Sequence, residues 1–332
     1  MKKLLLAVVG ILFAATSFAQ NELVASLSHE GDVTYFYGMA ALQNAVAAAE
    51  SGDIINLSGG SFYATDITKA ITLHGAGIDS EVPTYIAGDF YLDIPSTDAN
   101  RFMMEGIRCP NKLRFKGEFN NPYFLRCQFN EVNRWDEGVH VTNITFANCK
   151  VTGYLRYSAS NTYILVNCFV NDMYKEEWSS ITASNCVFIR NDFSLFRDGT
   201  FFNCIFVSKE ANHETYRLHG SAQATNCISV NFAEGFDIFR DCNVSKDCTK
   251  EPKSLSTVFK TYRGDYSDEE TFELTDEGKA ILGADEKQIG MYGGLLPYTS
   301  KPSYPLISKM TVPEKTDNLG KMDVTVTISS AE

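Results

Sequence analysis

Five Asn-Cys pairs punctuate the middle of the chain, at Asn148, Asn167, Asn185, Asn203 and Asn226. Their regular return constrains the fold more than any other feature. With Arg108-Cys109 and Arg126-Cys127 upstream, the cysteines Cys109, Cys127, Cys149, Cys168, Cys186, Cys204 and Cys227 are separated by 18, 22, 19, 18, 18 and 23 residues. Self-similarity at such a period marks a stacked-repeat architecture. The unit is too short for a helix plus a strand, and Gly, Asn, Asp and Ser interrupt it often. No proline stands between Pro122 and Pro252, as a ladder of paired strands requires. Side chains two before each cysteine (Leu125, Ala147, Val166, Ser184, Phe202, Thr225) and two after it (Phe129, Val151, Val170, Phe188, Phe206, Ser229) are mostly apolar or small. Period-2 alternation therefore predicts that both sets share one interior with the cysteines. A tandem of such units reads as a coil of parallel strands, rung stacked on rung about 4.8 Å apart. The leucine-asparagine consensus of a horseshoe repeat is missing, and propeller blades need units about twice as long.

The coil limits what the seven cysteines can do. Structural zinc takes four converging ligands, usually from closely spaced pairs, and the chain has no Cys-x-x-Cys. In-register rungs hold parallel Cβ atoms about 4.8 Å apart, wider than the roughly 3.5–4.5 Å of a relaxed disulfide. No histidine lies in the strands that carry these thiols, so a base for a nucleophile is missing. Interior packing is the role that remains. Cys242 and Cys248 read as lying outside the column, and a disulfide between them is left open. The asparagines suit left-handed bends and can stack as an amide ladder.

The ends read differently. "MKKLLLAVVGILFAATSFAQ" has two lysines, a short apolar run and small residues near Ala19, the layout of a cleaved signal over 1–19. The mature chain is expected to be exported to the periplasm, cell surface or medium, with no membrane span. "YGMAALQNAVAAAESGD" predicts a helix at about 39–51 with Leu42, Val46 and Ala49 on one face, covering the open N-terminal end. Lys250–Thr275 loses the repeat and reads as an insertion or long turn, and "QIGMYGG" reads as a last rung. Residues 297–332, with Pro297, Pro302, Pro305 and Pro313, form an extended tail ending in the alternating strand Val324, Val326, Ile328. The residue after each cysteine changes from Gln128 and Lys150 to Phe169, Val187, Ile205 and Ile228. One outer face thus turns apolar along the chain, and the tail is placed to cover it.

"LQNAVAAAESGDIINLSGGSFYATDITKAITLHGAG" resembles the opening of pectin-lyase-like right-handed parallel β-helix proteins: a capping helix, Gly-Asp, a strand, a Gly-Ser-Phe-Tyr turn and a Gly-x-Gly. "ADEKQIGMYGG" resembles the closing rung of exported β-helix proteins of Bacteroidetes. The resemblance spans roughly residues 33 to 296 and implies an all-β fold, a right-handed parallel β-helix over 20–296. It is specific for fold and weak for activity, because that superfamily holds lyases, glycoside hydrolases, adhesins and proteins of unknown role.

Candidate chemistry lies outside the cysteine column. Removing Lys2 and Lys3 takes the formal net charge from −12 to −14, which disfavours nucleic acid as a partner. "FSLFRDGT" and "FDIFRDCN" repeat Phe-Arg-Asp, and "YRLHGS" lies between them. If these segments stack, Arg197, Arg217, Arg240, Asp198 and Asp241 share a surface. The resemblance implies that a lyase on uronate-containing glycans would use one of the three arginines as base and the two aspartates to hold calcium. The bland alternative is a surface ion-pair ladder of little energetic weight. The Asn-x-Asp, Asp-Asp and Gly-His-Gly signatures of glycoside hydrolases of this fold are missing. Two segments interrupt the repeat and hold both tryptophans, and loops on rigid scaffolds concentrate binding groups. Trp135, His140, Tyr174 and Trp178, together with His219, are therefore candidate binding residues for a polysaccharide or cell-surface partner. The favoured expectation is a non-catalytic module with no cofactor; the alternative is the calcium-dependent lyase.

Overall fold

A computed structural model describes residues 23–134, 141–157, 162–175, 180–190, 196–211, 217–264, 266–267, 270–283, 285–304, 306–311 and 325–329. The expected signal segment and Trp135, His140 and Trp178 lie outside them. The chain is a right-handed parallel β-helix of about eight turns. Two twelve-stranded sheets run its length. Sheet A begins with an antiparallel hairpin, β1 (Val24–His29) and β2 (Asp32–Tyr37), continues through β3 (Ile54–Leu57), and ends at Val244–Lys246. Sheet B runs from Gly60–Tyr63 to Ile228–Val230.

Each unit passes from sheet A to sheet B through the Asn-Cys step. Asn148, Asn167, Asn185, Asn203 and Asn226 have φ between 49° and 53°, and Arg126 has 51°. Asparagine tolerates this left-handed region better than most residues. The bend keeps its backbone bonds: Asn185 N donates to Phe202 O at 2.9 Å and Asn203 N to Thr225 O at 3.0 Å. Each thiol turns inward and points at a nearby carbonyl, as Cys186 Sγ does toward Ser184 O at 3.2 Å.

The bend resets the side-chain alternation, and this corrects the sequence reading. The inward positions of sheet A are three before each cysteine: Phe124, Phe146, Leu165, Ala183, Phe201 and Ala224 are all buried. The residues two before point outward, and Phe202 is 42% exposed. Period-2 counting fails because it was carried through a left-handed residue, which rotates the chain. The positions two after each cysteine do face the interior. The core is aromatic, with Phe124 and Phe146 stacked at 4.8 Å and Phe188 and Phe206 at 5.4 Å.

Two cysteines change column. Cys109 pairs with Phe129 in sheet B, while the bend on its rung falls at Gly106 (φ 69°) and Ile107 takes the place expected for the thiol. Cys109 is still buried. Cys248 extends the column: Lys246 pairs with Thr225, Asp247 has φ 54° in the asparagine position, and Cys248 Sγ approaches Lys246 O at 3.5 Å. Both Cys242 and Cys248 are free thiols.

The first rung and the apolar outer face of sheet B are covered by the chain itself. Helix α1 (Ala41–Ala48) buries Ala41, Leu42, Ala45 and Val46 over the first rung. The outer face of sheet B carries one column, Ser61, Tyr85, Arg108, Gln128, Lys150, Phe169, Val187, Ile205 and Ile228, in continuous register. Its apolar half forms a second core with Val258, Phe259, Tyr262, Phe272, Leu274, Ile289 and Met291. Phe272 stacks on Phe169 at 4.3 Å. The cover is therefore the segment after the coil, ahead of the tail that sequence had assigned to it.

Gln288–Gly294 forms no paired rung. It runs back along the asparagine bends, where Asn167 Nδ2 donates to Met291 O (2.7 Å) and Gly293 O (2.8 Å), and Gly290 N to Asn203 O. Asparagine amides thus serve as docking points for this strap. The strap reaches the first rungs, where Ser303 N and Oγ donate to Glu105 at 2.6 and 2.8 Å and Tyr304 stacks on His74 at 4.3 Å. Leu306–Thr311 and Thr325–Ser329 then pair antiparallel.

Candidate functional site

The coil has two unlike edges. The Asn-Cys edge is tight and strapped. The opposite edge, where sheet B returns to sheet A, carries the longer connections, and the candidates Tyr174, Arg197, Asp198, Arg217, His219, Arg240 and Asp241 fall on it or on the strands that lead into it. Strands Gln128–Arg134, Lys150–Tyr157 and Met173–Lys175 lie side by side, with Lys150–Tyr157 in the middle. Tyr174 pairs with Arg156 across that ladder.

At the C-terminal end of this edge the Phe-Arg-Asp turns stack. Gly220 lies against the Arg197 backbone, since a Cβ there would meet Arg197 O at 3.2 Å, and His219 bridges to Asp241. Arg217 lays its guanidinium 4.3 Å from the Phe236 ring, donates from Nε to Asp237 O at 2.9 Å, and reaches Asp241 at 4.0 Å. Arg240 Nε meets the other Asp241 oxygen at 3.3 Å. The structure therefore brings Arg217, His219, Arg240 and Asp241 together, with Arg197 and Asp198 exposed on the preceding turn. Among the described residues no group of three or more His, Cys, Asp or Glu side chains is placed to hold a metal ion, at Asp198, Asp241 or elsewhere. The Asp241 carboxylate is instead flanked by two guanidiniums.

The N-terminal half of the same edge adjoins a polar, partly buried face of sheet B. Three strands repeat one pattern: Lys112-Leu-Arg114, Glu131-Val-Asn133 and Tyr154-Leu-Arg156. The middle residue is buried each time, so the flanking polar side chains stand outward. Lys112 Nζ and Asn133 Nδ2 hold the Glu131 carboxylate at 3.1 and 3.0 Å, and Arg114 Nε meets Asp89 at 3.2 Å. Beside them Tyr154, Arg156, Asp172, Met173 and Arg190 line a cleft of about 170 Å³. Asp172 lies within ion-pair range of Arg190 Nε at 3.8 Å and Lys209 Nζ at 3.6 Å. Mutual pairing fixes these long side chains in place, and Tyr154 is left 37% exposed among them. A further cleft of about 430 Å³ opens at the first loops, with Ile94, Phe102 and Phe119 below and Asn100, Arg101 and Asn121 at its rim.

Sequence reading missed this face. Its signal was the polar-apolar-polar triplet repeated on three successive rungs, which carries no shared residue type to mark it. No helix among the described residues is long and apolar enough to cross a membrane. No known protein family, curated protein or solved structure matches the chain.

Proposed function

We propose that the protein is an exported, non-catalytic β-helix module that binds an extended glycan along the open half of sheet B and its loop edge. One observation carries this reading. The chain seals the apolar half of that sheet face with its own residues, while beyond it Tyr154 and Lys112 stand partly exposed over a buried, mutually paired set of Glu131, Asn133 and Arg190. Sugars are recognised by such combinations: an aromatic face packs against the C–H side of the ring, and held donors and acceptors meet its hydroxyls. A flat ladder with rungs about 4.8 Å apart presents these groups in a line, as a linear polymer needs. The likeness to exported pectin-lyase-like proteins is consistent with this and adds nothing on ligand identity.

The test is a polysaccharide panel probed by affinity electrophoresis and calorimetry with the purified chain and Tyr154→Ala. Loss of the aromatic face should weaken binding about tenfold, roughly 1.4 kcal/mol. Binding to no polymer, or binding that Tyr154→Ala leaves intact, rejects the assigned face. The rival is a calcium-dependent lyase drawing on Arg197, Arg217 or Arg240 with Asp198 and Asp241. Its motivation is the convergence of Arg217, Arg240 and Asp241 at one corner. Ultraviolet absorbance from unsaturated uronates, with and without calcium, reads it out, and any elimination product sinks the non-catalytic reading.

A further inference from the structure

Sheet A ends in two edges that are built differently. At the C-terminal end, Val244–Lys246 is three residues long and finishes in a lysine, and shortness and lysine are devices that discourage strand addition. At the N-terminal end, β2 is six residues long with no Pro, Lys or Arg, and its pairing with β1 runs without a register shift. Its outer edge meets no other strand among the described residues.

The backbone of β2 fixes which groups stand free. Gly38 N donates to Leu23 O, and hydrogen-bonded pairs alternate along an antiparallel ladder. Phe36 and Thr34 therefore bond to β1, while Val33, Tyr35 and Tyr37 turn their N–H and C=O groups to the open edge. Val24, opposite Tyr37, bonds away from β2 to Ser58, as this alternation requires. The side chains of the same three residues are 49%, 58% and 56% exposed. Met39 and Tyr63, joined by Tyr63 N to Met39 O, extend the exposed apolar surface beside them.

We propose that β2 pairs antiparallel with β2 of a second copy, about a two-fold axis at Tyr35, joining sheet A of the two copies end to end. The strand is self-complementary in that register. Tyr35 faces Tyr35, Val33 of each copy faces Tyr37 of the other, and each pair exchanges two backbone hydrogen bonds. Aromatic and aromatic–β-branched pairs directly opposite one another are among the favourable cross-strand combinations. Asp32, the only charge in the strand, falls opposite Gly38 of the other copy, so no like charges meet across the axis. The inward faces pair Thr34 with Phe36.

Sedimentation and light scattering on the purified full-length chain test this. The wild type should have twice the chain mass and dissociate on dilution. Tyr35→Pro removes an outward N–H that meets no other strand among the described residues, and should give a monomer with unchanged circular dichroism and the melting temperature of the dilute, dissociated wild type. Tyr35→Lys places two like charges across the axis and should also give a monomer, in part restored by salt. A monomeric wild type, a dimer that survives both substitutions, or an open-ended series of oligomers overturns the proposal. Slow hydrogen exchange at Val33, Tyr35 and Tyr37 in a monomer would mean that another segment or partner covers the edge, and overturns it equally.

Discussion

Glu105→Ala should release the strap while leaving the coil folded. The Glu105 carboxylate is 1% exposed and takes Arg126 Nη1 at 2.8 Å, Ser303 N at 2.6 Å and Ser303 Oγ at 2.8 Å. Beside it Tyr304 stacks on His74 and donates its hydroxyl to Gly75 O. Removing one partner of a buried ion pair costs about 3–5 kcal/mol, because the other charge is stranded. Arg126 keeps 15% exposure, so water recovers part of that, and about 2–3 kcal/mol is the expected loss. That cost stays within the coil, to which Arg126 and Glu105 both belong; strap docking loses the Ser303 bonds to a carboxylate, about 2–3 kcal/mol together. The open population of the strap should then rise roughly 30- to 150-fold. Hydrogen exchange by mass spectrometry should show faster exchange in peptides over 288–304, with coil peptides remote from Arg126, such as Leu42–Phe62, unchanged. Limited proteolysis near Lys301 should accelerate in parallel. Glu105→Gln keeps an acceptor for Ser303 and should sit between the two. Unchanged exchange at 288–304, or equal acceleration throughout the coil, would refute the assignment of Glu105 as the strap's anchor.

Two further outcomes follow from the bends and the thiols. Asn226, at φ 49°, should lose about 1–2 kcal/mol on substitution by Ala, which resists the left-handed region, and much less by Gly. Urea unfolding of the two variants compares them, and equal costs would contradict the bend argument. Burial, with the neighbouring Cys248 adding to it, pushes the Cys242 thiol up to about 12. Its alkylation by iodoacetamide should therefore be slow at neutral pH and rise about tenfold per pH unit toward that value. Cys149, Cys186 and Cys227, where burial raises the thiol further still, should react only when the chain unfolds.

The coil was legible in the sequence because stacking forces the same residue types to return at each rung, and the asparagines marked where. Finer placement was not, since it depends on where the left-handed residue falls. Cys109 matches its neighbours in sequence but follows Gly106, the true bend, by three residues, and so moved into sheet B. Cys248 was overlooked because aspartate stands in the asparagine position before it. The apolar turn of the outer face at Phe169, Val187, Ile205 and Ile228 announced that something covers it. What covers it was unreadable, because Val258, Phe272 and Met291 show no spacing tied to the column they meet. The stacking of the Phe-Arg-Asp turns was anticipated, whereas the face around Glu131 and Tyr154 needed the sheet register to assemble it.

Rung-on-rung growth needs only neighbours in sequence, so most of this coil can wind progressively from its first strands. The strap breaks that locality. Ser303 reaches Glu105 across 198 residues of chain, and the sealing residues Ile289 and Met291 are among the later ones. Such distant closures raise contact order and come late. Until the cover from Val258 to Met291 has docked, the apolar side of sheet B is bare, and a partly made chain carries its most adhesive surface outward. Completion is thus signalled physically by the disappearance of that surface. A truncation before Ser254, which removes the whole cover, is predicted to yield a coil that winds but cannot be kept from aggregating.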